Sequence, residues 1–260
     1  MAEIFGVKIF EGKKEDLFRL CQKFIKEDKP HFLISLNPEI LMLGEKDPGF
    51  KKILLASEVN FADGIGILWA AGVKNPFQGI LRLIFGFFWR KILLNPIPEQ
   101  IRGREFIFEI ARLAFENHLK IYLVGGRGTA QKAKEQLKAK IDKNLSIIAE
   151  DGPQNWQFQS QEDKDLVERI QKSQAEIVLS AFGAPKDELF LYGHKKELGA
   201  KLLLGVGGTF DYLAGKQKLP PNFLANLGLE WLWRLLHQPR RLKRQLALPR
   251  FILKVLLSRS

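Results

Sequence analysis

The chain contains one cysteine, Cys21, among 260 residues, so it can form no disulfide within itself. A lone thiol also excludes a thiolate metal cluster, and a reducing cytoplasm is the default setting. The four histidines, His31, His118, His194 and His237, show no metal-ligand spacing. Long apolar runs are missing too. In the most apolar stretch, FQGILRLIFGFFWRKILLNPIP, the longest uncharged run is seven residues, Leu83 to Trp89. The opening MAEIFGVKIFEGKKEDL has no basic segment followed by an apolar one, so no signal peptide is expected.

Acids are scarce in two places. Residues 216–260 hold ten Lys or Arg and a single acid, Glu230, while Lys74 to Pro98 hold four bases and none. The formal net charge is +12, so these two segments carry the excess and the remaining body is close to neutral. Both segments are rich in Leu, Ile, Phe and Trp. Bases interleaved with bulky apolar residues fit an anionic membrane surface. Nucleic acid fits less well, because the charge lies beside Leu and Trp in the tail and no reader motif is present.

What is present is a folded α/β composition, with 46% hydrophobic and 27% charged residues. Short apolar runs alternate with amphipathic helical stretches. HFLISLN, KIYLV, LSIIAE, AEIVLSAFG and KLLLGVGG read as strands, and FGVKIF as another. KEDLFRLCQKFIKE, REFIFEIARLAFEN, TAQKAKEQLKAKI, QEDKDLVERIQKS and PKDELFLYGHKKE have helical spacing. Such alternation predicts a Rossmann-like, mostly parallel sheet with helices on both faces. We place this α/β domain at 1–215 and a basic helical appendage at 216–260, with an apolar basic insert at 77–98.

Ligands of such sheets bind beyond the carboxyl ends of the strands. Four glycine-bearing turns lie there: FADGIG, YLVGGRGT, SAFGAP and LGVGGTF. One such turn is weak grounds, since strand-to-helix turns need glycine anyway; four make a nucleotide-type ligand the working expectation. Asp63 is the carboxylate on the first turn. It serves either the turn itself, as a helix cap, or chemistry, as a base held on a rigid corner.

The insert segment Ile80 to Leu94 would be about 22 Å long as a helix, against roughly 30 Å of hydrocarbon, so it cannot span. It reads as an interfacial helix with Arg82, Arg90 and Lys91 reaching headgroups, or as a buried hairpin or protein contact. The tail reads as helices broken at Pro239 and Pro249, with Arg240, Arg241 and Arg244 on one side of RRLKRQLAL. Asp163-Lys164-Asp165 resembles a metal-holding Asp-x-Asp. It opens a helix, where acids serve the helix dipole, so we read it as structural.

The segments LNPEI, ADGIGILWAAG, IRGREFIFEIARLA, IYLVGGRGTAQKA, LSAFGAPKDE, GVGGTFDYLAG and GLEWLWRLLHQPRRLKRQ occur in this order across almost the whole chain. Together they resemble the WecG/TagA/CpsF family of bacterial glycosyltransferases. The last string is the most specific. The resemblance implies an inverting transfer of an N-acetylmannosamine-like sugar from a UDP-sugar to a polyprenyl-diphosphate-linked sugar, for cell-surface polysaccharide or teichoic acid. It makes the enzyme peripheral on the inner face of the cell membrane.

By the same similarity, Asp63 is the base that deprotonates the acceptor hydroxyl, with Gly64 and Gly66 leaving room for the sugar. Asn37 matches an active-site asparagine. Leaving-group charge would fall to backbone N–H groups at Gly125 and Gly126, or to Arg234, Arg241 and Arg244. No metal or other cofactor is expected, and a homo-oligomer stays open. The chain departs from the pattern at Asp187, where the family has Gln, and at Gln100 and Glu105, where it has Arg and Asp. Another arginine is missing at Leu219-Pro220-Pro221, and the insert is additional. Asp187 would bring a negative charge toward the donor. These departures support an alternative, a membrane-associated module that kept the fold and lost the chemistry.

Overall fold

The computed structural model describes residues 2–238 and 242–258. β1 (Glu3–Ile4) and β2 (Val7–Lys8) form a small antiparallel hairpin. Then come α1 (Lys14–Phe24), β3 (His31–Leu36), α2 (Pro38–Lys46), α3 (Pro48–Ala56), β4 (Val59–Ala62) and α4 (Ile65–Ala71). Next are α5 (Pro76–Phe88), a short 3-10 turn at Arg90–Leu93 and α6 (Gly103–Glu116). β5 (Ile121–Gly125), α7 (Ala130–Lys140), β6 (Ile147–Glu150), α8 (Gln161–Ser173), β7 (Ile177–Ala181), α9 (Lys186–Gly193) and β8 (Leu202–Gly205) continue the alternation. The chain closes with α10 (Thr209–Leu213), α11 (Asn222–Asn226), α12 (Glu230–His237), α13 (Leu242–Gln245) and α14 (Ala247–Leu257).

Six strands form one all-parallel sheet in the order β4-β3-β8-β7-β5-β6. Side chains alternate between its two faces, as the two-residue period requires. Phe32, Ile34, Val124, Val178 and Leu203 join one core; Leu33, Leu123, Leu179, Leu202 and Leu204 join the other. Burial on both faces explains why the strands read as nearly continuous apolar runs.

The structure corrects three expectations. FGVKIF contributes only the two-residue β2, outside the main sheet. An additional edge strand, β4, lies in EVNFADG; its buried Asn60 interrupts the apolar pattern and donates to Lys8 O and Leu54 O. Pro249 does not break the tail, because it falls in the first turn of α14, where a missing N–H costs no helical bond. α14 packs on α2 and α4, with Phe251 and Val255 buried in the first core. Among the described residues, no helix is long and apolar enough to cross a membrane.

The β5 turn fixes one close approach. Gly125 has φ +99°, and a Cβ there would lie 2.7 Å from Ala181 C and 2.9 Å from Phe182 N. Gly128 has φ +88° with nothing within 4 Å. Gly128→Ala therefore carries only the left-handed backbone cost, about 1–2 kcal/mol. Gly125→Ala adds a collision with backbone and should cost at least about 1 kcal/mol more. Urea unfolding of the two variants measures the difference, and equal midpoints would refute this packing constraint.

Candidate active site

The turns after β3, β4, β7 and β8 meet α4, α5 and the tail helices around a cleft of about 730 Å³. That volume is within the range of small-molecule sites. Asn37 ends β3 and caps α2, its Oδ1 accepting from Ile40 N at 3.1 Å. Asp63 follows β4. The cap of α4 is Gly64, so Asp63 is not spent on that helix. Its Oδ1 instead accepts from Gly103 N at 2.9 Å, the first residue of α6. Among the described residues Oδ2 has no hydrogen-bond partner, and Asp63 lines the cleft.

The surroundings of Asp63 hold its carboxyl above the usual range. Loss of water around it is the largest cause; the Gly103 N–H and the Arg104 and Arg102 cations pull the other way, and Glu230 adds to the rise. Gly64 and Gly66 are explained by packing. A Cβ at either would meet Pro38, at 3.0 and 2.7 Å, so the glycines let the β3 and β4 turns touch.

A charged frame covers this corner. Arg104 donates to both oxygens of Glu230, at 2.5 and 3.1 Å, a two-pronged pair between α6 and α12. Arg102 Nε lies 2.8 Å from Glu230 Oε1, though not aligned as a hydrogen bond. One turn further along α12, Arg234 lines the cleft against Gly208 and over the Tyr212 ring, 5.5 Å from its centroid. No carboxylate pairs with Arg234 among the described residues, and its buried Nε has no partner. It is a cation seated at the β8 turn.

Asp187 is bound up in the scaffold. Its Oδ1 accepts from Ser180 Oγ and Phe182 N, both at 2.7 Å; its Oδ2 accepts from Gly183 N and Gly207 N, both at 3.1 Å. One carboxylate thus fastens the β7 and β8 turns together beside the cleft. Burial pushes its pKa up to about 6, against the lowering by these four donors. Next to it, Glu188 is buried with Oε2 unpartnered. Burial and the neighbouring Asp187 charge push Glu188 up to about 8.

The other expected residues scatter. Gly125 ends β5 and Gly126 follows it, and neither lines this cleft; Gly126 borders a separate small pocket with Asp151 and Lys186. There Asp151 Oδ1 already accepts from Thr129 N and Ala130 N at the start of α7. Arg244 lines the cleft but pairs with Glu39. Arg241 and Arg240 lie outside the described residues.

Two of the three insert cations expected at headgroups, Arg82 and Arg90, are corrected, while Lys91 is exposed. Arg82 is buried and donates to Asn95 O at 3.0 Å and Leu93 O at 3.5 Å, satisfying carbonyls that the irregular turn leaves open. Arg90 turns inward, donating to Gln100 Oε1 and to Ala225 O at 3.2 Å, while Gln100 donates to Asp63 O. A guanidinium therefore stands beside Gln100 after all, supplied from the far side of α5. Asp163 is likewise turned inward, accepting from Trp156 Nε1 and Gln159 N at 2.7 Å and meeting His194 Nε2 at 2.8 Å. Sequence reasoning missed Glu188 and Glu230; the latter is the lone acid of a basic tail, a signal that was available.

The raised Glu188 has a stability consequence. Its folded pKa exceeds the ordinary value, so the folded state favours the neutral carboxyl. The associated stability is present below about pH 4 and lost as pH rises through about 8. Glu188→Gln should raise Tm by roughly 3 °C or more at pH 9 and change it little at pH 5. Calorimetry across that range decides; a uniform shift at all pH values would contradict the linkage.

A family model described as the glycosyl transferase WecG/TagA/CpsF family matches residues 2–81 and 87–260. The unmatched 82–86 fall inside α5, a narrower departure than the whole stretch 77–98. With essentially the full length matched and Asp63, Asn37, Glu188 and Arg234 gathered at one cleft, the chain belongs to the WecG/TagA/CpsF family of glycosyltransferases.

Proposed function

We propose that the protein moves an N-acetylmannosamine-like sugar from a UDP-sugar to a sugar carried on a polyprenyl diphosphate at the inner membrane face. The reaction is inverting, with Asp63 as general base and Arg234 as the cation facing the diphosphate. One observation carries this reading. Asp63 is a carboxylate anchored through one oxygen at the cleft floor, with the other unclaimed and its pKa raised toward the working range.

The chemistry follows from that geometry. Inversion needs an acceptor hydroxyl attacking opposite the leaving diphosphate while a base takes its proton. Asp63 Oδ2 receives that proton, and the oxygen of the sugar–phosphate bond leaves with its electron pair. The Arg234 guanidinium, seated against Gly208 with its Nε unpartnered, is the donor that receives the growing charge in this proposal. The transfer is metal-independent in this proposal. Asp163, of the Asp-x-Asp string, is consumed by Trp156, Gln159 and His194, so it is not a ligand at the cleft.

Asp63→Asn keeps size and hydrogen-bonding capacity and removes the base. Turnover with UDP-N-acetylmannosamine and a lipid-diphosphate acceptor should fall 10²- to 10⁴-fold, roughly, with Tm and donor affinity near wild type. Transfer at the wild-type rate would remove Asp63 from the mechanism, and chelator should leave turnover unchanged. The base is active when ionised, so kcat/KM should fall with decreasing pH through an apparent pKa above the usual aspartate value of about 4. Arg104→Gln removes a cation that favours the ionised form and should move that limb to higher pH. A limb that stays in place would exclude Asp63 as its source.

A further inference from the structure

α5 is an amphipathic helix mounted in reverse. Its inward residues are Gly79, Arg82 and Gly86, spaced by three and four and so on one stripe. They are held there specifically: Trp69 Nε1 donates to Gly79 O at 2.9 Å, Arg82 closes the carbonyls of Leu93 and Asn95, and the two glycines admit Leu256 and Leu93. The outward residues are Phe77, Ile80, Leu81, Leu83, Ile84 and Phe85, with Phe77 74% and Ile84 52% exposed. Trp89 follows at 65% exposure, and the neighbouring α14 presents Leu253 and Leu257.

A soluble surface does not leave such a stripe to water without a partner. The charges around it say what kind. Residues 64–98 contain no Asp or Glu, and neither do residues 231–260. Exposed Lys74 and Lys91 stand at the two ends of α5, and exposed Arg250 shares the outward stripe of α14 with Leu253 and Leu257. Two copies meeting through this face would bring these cations together with no acid on the face to offset them. An anionic bilayer supplies the opposite charge, and a Trp beside basic residues is the arrangement of a headgroup interface.

The tail contributes less free charge than its composition indicates. Arg234 faces the cleft, Arg244 pairs with Glu39, and Lys254 pairs with Glu45. We propose that the outward face of α5, together with Leu253 and Leu257 of α14, is the surface that sinks into an anionic bilayer. Leu83 and Ile84 belong both to this face and to the wall of the Asp63 cleft. The cleft rim then lies at the lipid surface, so a lipid-linked acceptor reaches Asp63 sideways from the bilayer. This last step rests on the lipid-linked acceptor proposed above; the binding of α5 does not.

Flotation with phosphatidylglycerol/phosphatidylethanolamine vesicles tests the surface without any sugar substrate. Wild-type protein should float with them and not with phosphatidylcholine alone. The Phe77→Ser/Ile80→Ser double variant, altered only at exposed positions, should keep its Tm and lose at least about tenfold in bound fraction. Brominated lipid should quench wild-type fluorescence more than that of Trp89→Phe. Undiminished flotation of the double variant would overturn the proposal. So would a wild-type dimer that the double variant splits and that ignores vesicles, since the face would then be a contact between copies. Transfer to a short-chain soluble acceptor, measured separately, stands or falls with Asp63 and not with this face.

Discussion

Glu230 is the residue on which the arrangement of the cleft depends. It is the only acid in the last 45 residues, and it holds Arg104 with both oxygens while lying against Arg102. The pair joins α12 to α6 at the point where α6 begins, next to the Gly103 N–H that anchors Asp63. Without it, Arg102 and Arg104 would keep only the more exposed Glu105 as a counter-charge, and α12 would lose its charged tie to the body. With it and Glu105, Arg104 and Arg102 are matched by two carboxylates, and Arg234, one turn on, has no acid partner among the described residues. Glu230 is thus the acid that ties two arginines of the α6 start to α12 and leaves Arg234 facing the cleft.

Asp63 and Asp187 show how the same side chain is given opposite work. Both are surrounded by protein, and both are raised by loss of water. Asp187 receives four donors, three of them backbone N–H groups, and both its oxygens are consumed in joining two strand ends. Asp63 receives one. The difference is the number of N–H groups that the local turn directs at the carboxylate. A sequence comparison that sees Asp187 only as a charge replacing an amide misses this, because the donors come from the backbone of residues 182, 183 and 207.

Much of the scaffold was legible because period alone carries it. Five of the six strands of the sheet read as apolar runs near glycine turns, and α8 spans the predicted QEDKDLVERIQKS residue for residue. β4 was hidden because Asn60 is buried by two backbone acceptors that no local pattern reveals. Asp63 was legible as a candidate from its glycine turn, and Asn37 only through the family resemblance. Glu188 was not, since its raised pKa depends on Asp187 and on burial between elements distant in sequence. The basic tail was legible as charge, but its pairing with Glu39 and Glu45 required the fold.

The reversed mounting of α5 was the least legible feature, for a physical reason. Helical period shows that two faces differ; it does not show which face turns inward. Ordinarily the apolar face wins because its burial outweighs any single polar contact. Here the inward side offers unpaired carbonyls at Leu93 and Asn95, a Trp69 N–H needing an acceptor, and room only for glycine opposite Leu256 and Leu93. Turning Phe77 or Ile84 inward would leave those polar groups buried and unpaired, each at a cost of about 1–3 kcal/mol, and would place bulk where only Gly79 and Gly86 fit. Polar satisfaction therefore fixes the helix, and its apolar stripe is left outward as a consequence. The same Trp69 bond ties α5 to α4, which is capped by Gly64 immediately after Asp63. Whatever holds the outer face of α5 is linked through two buried contacts to the position of Asp63.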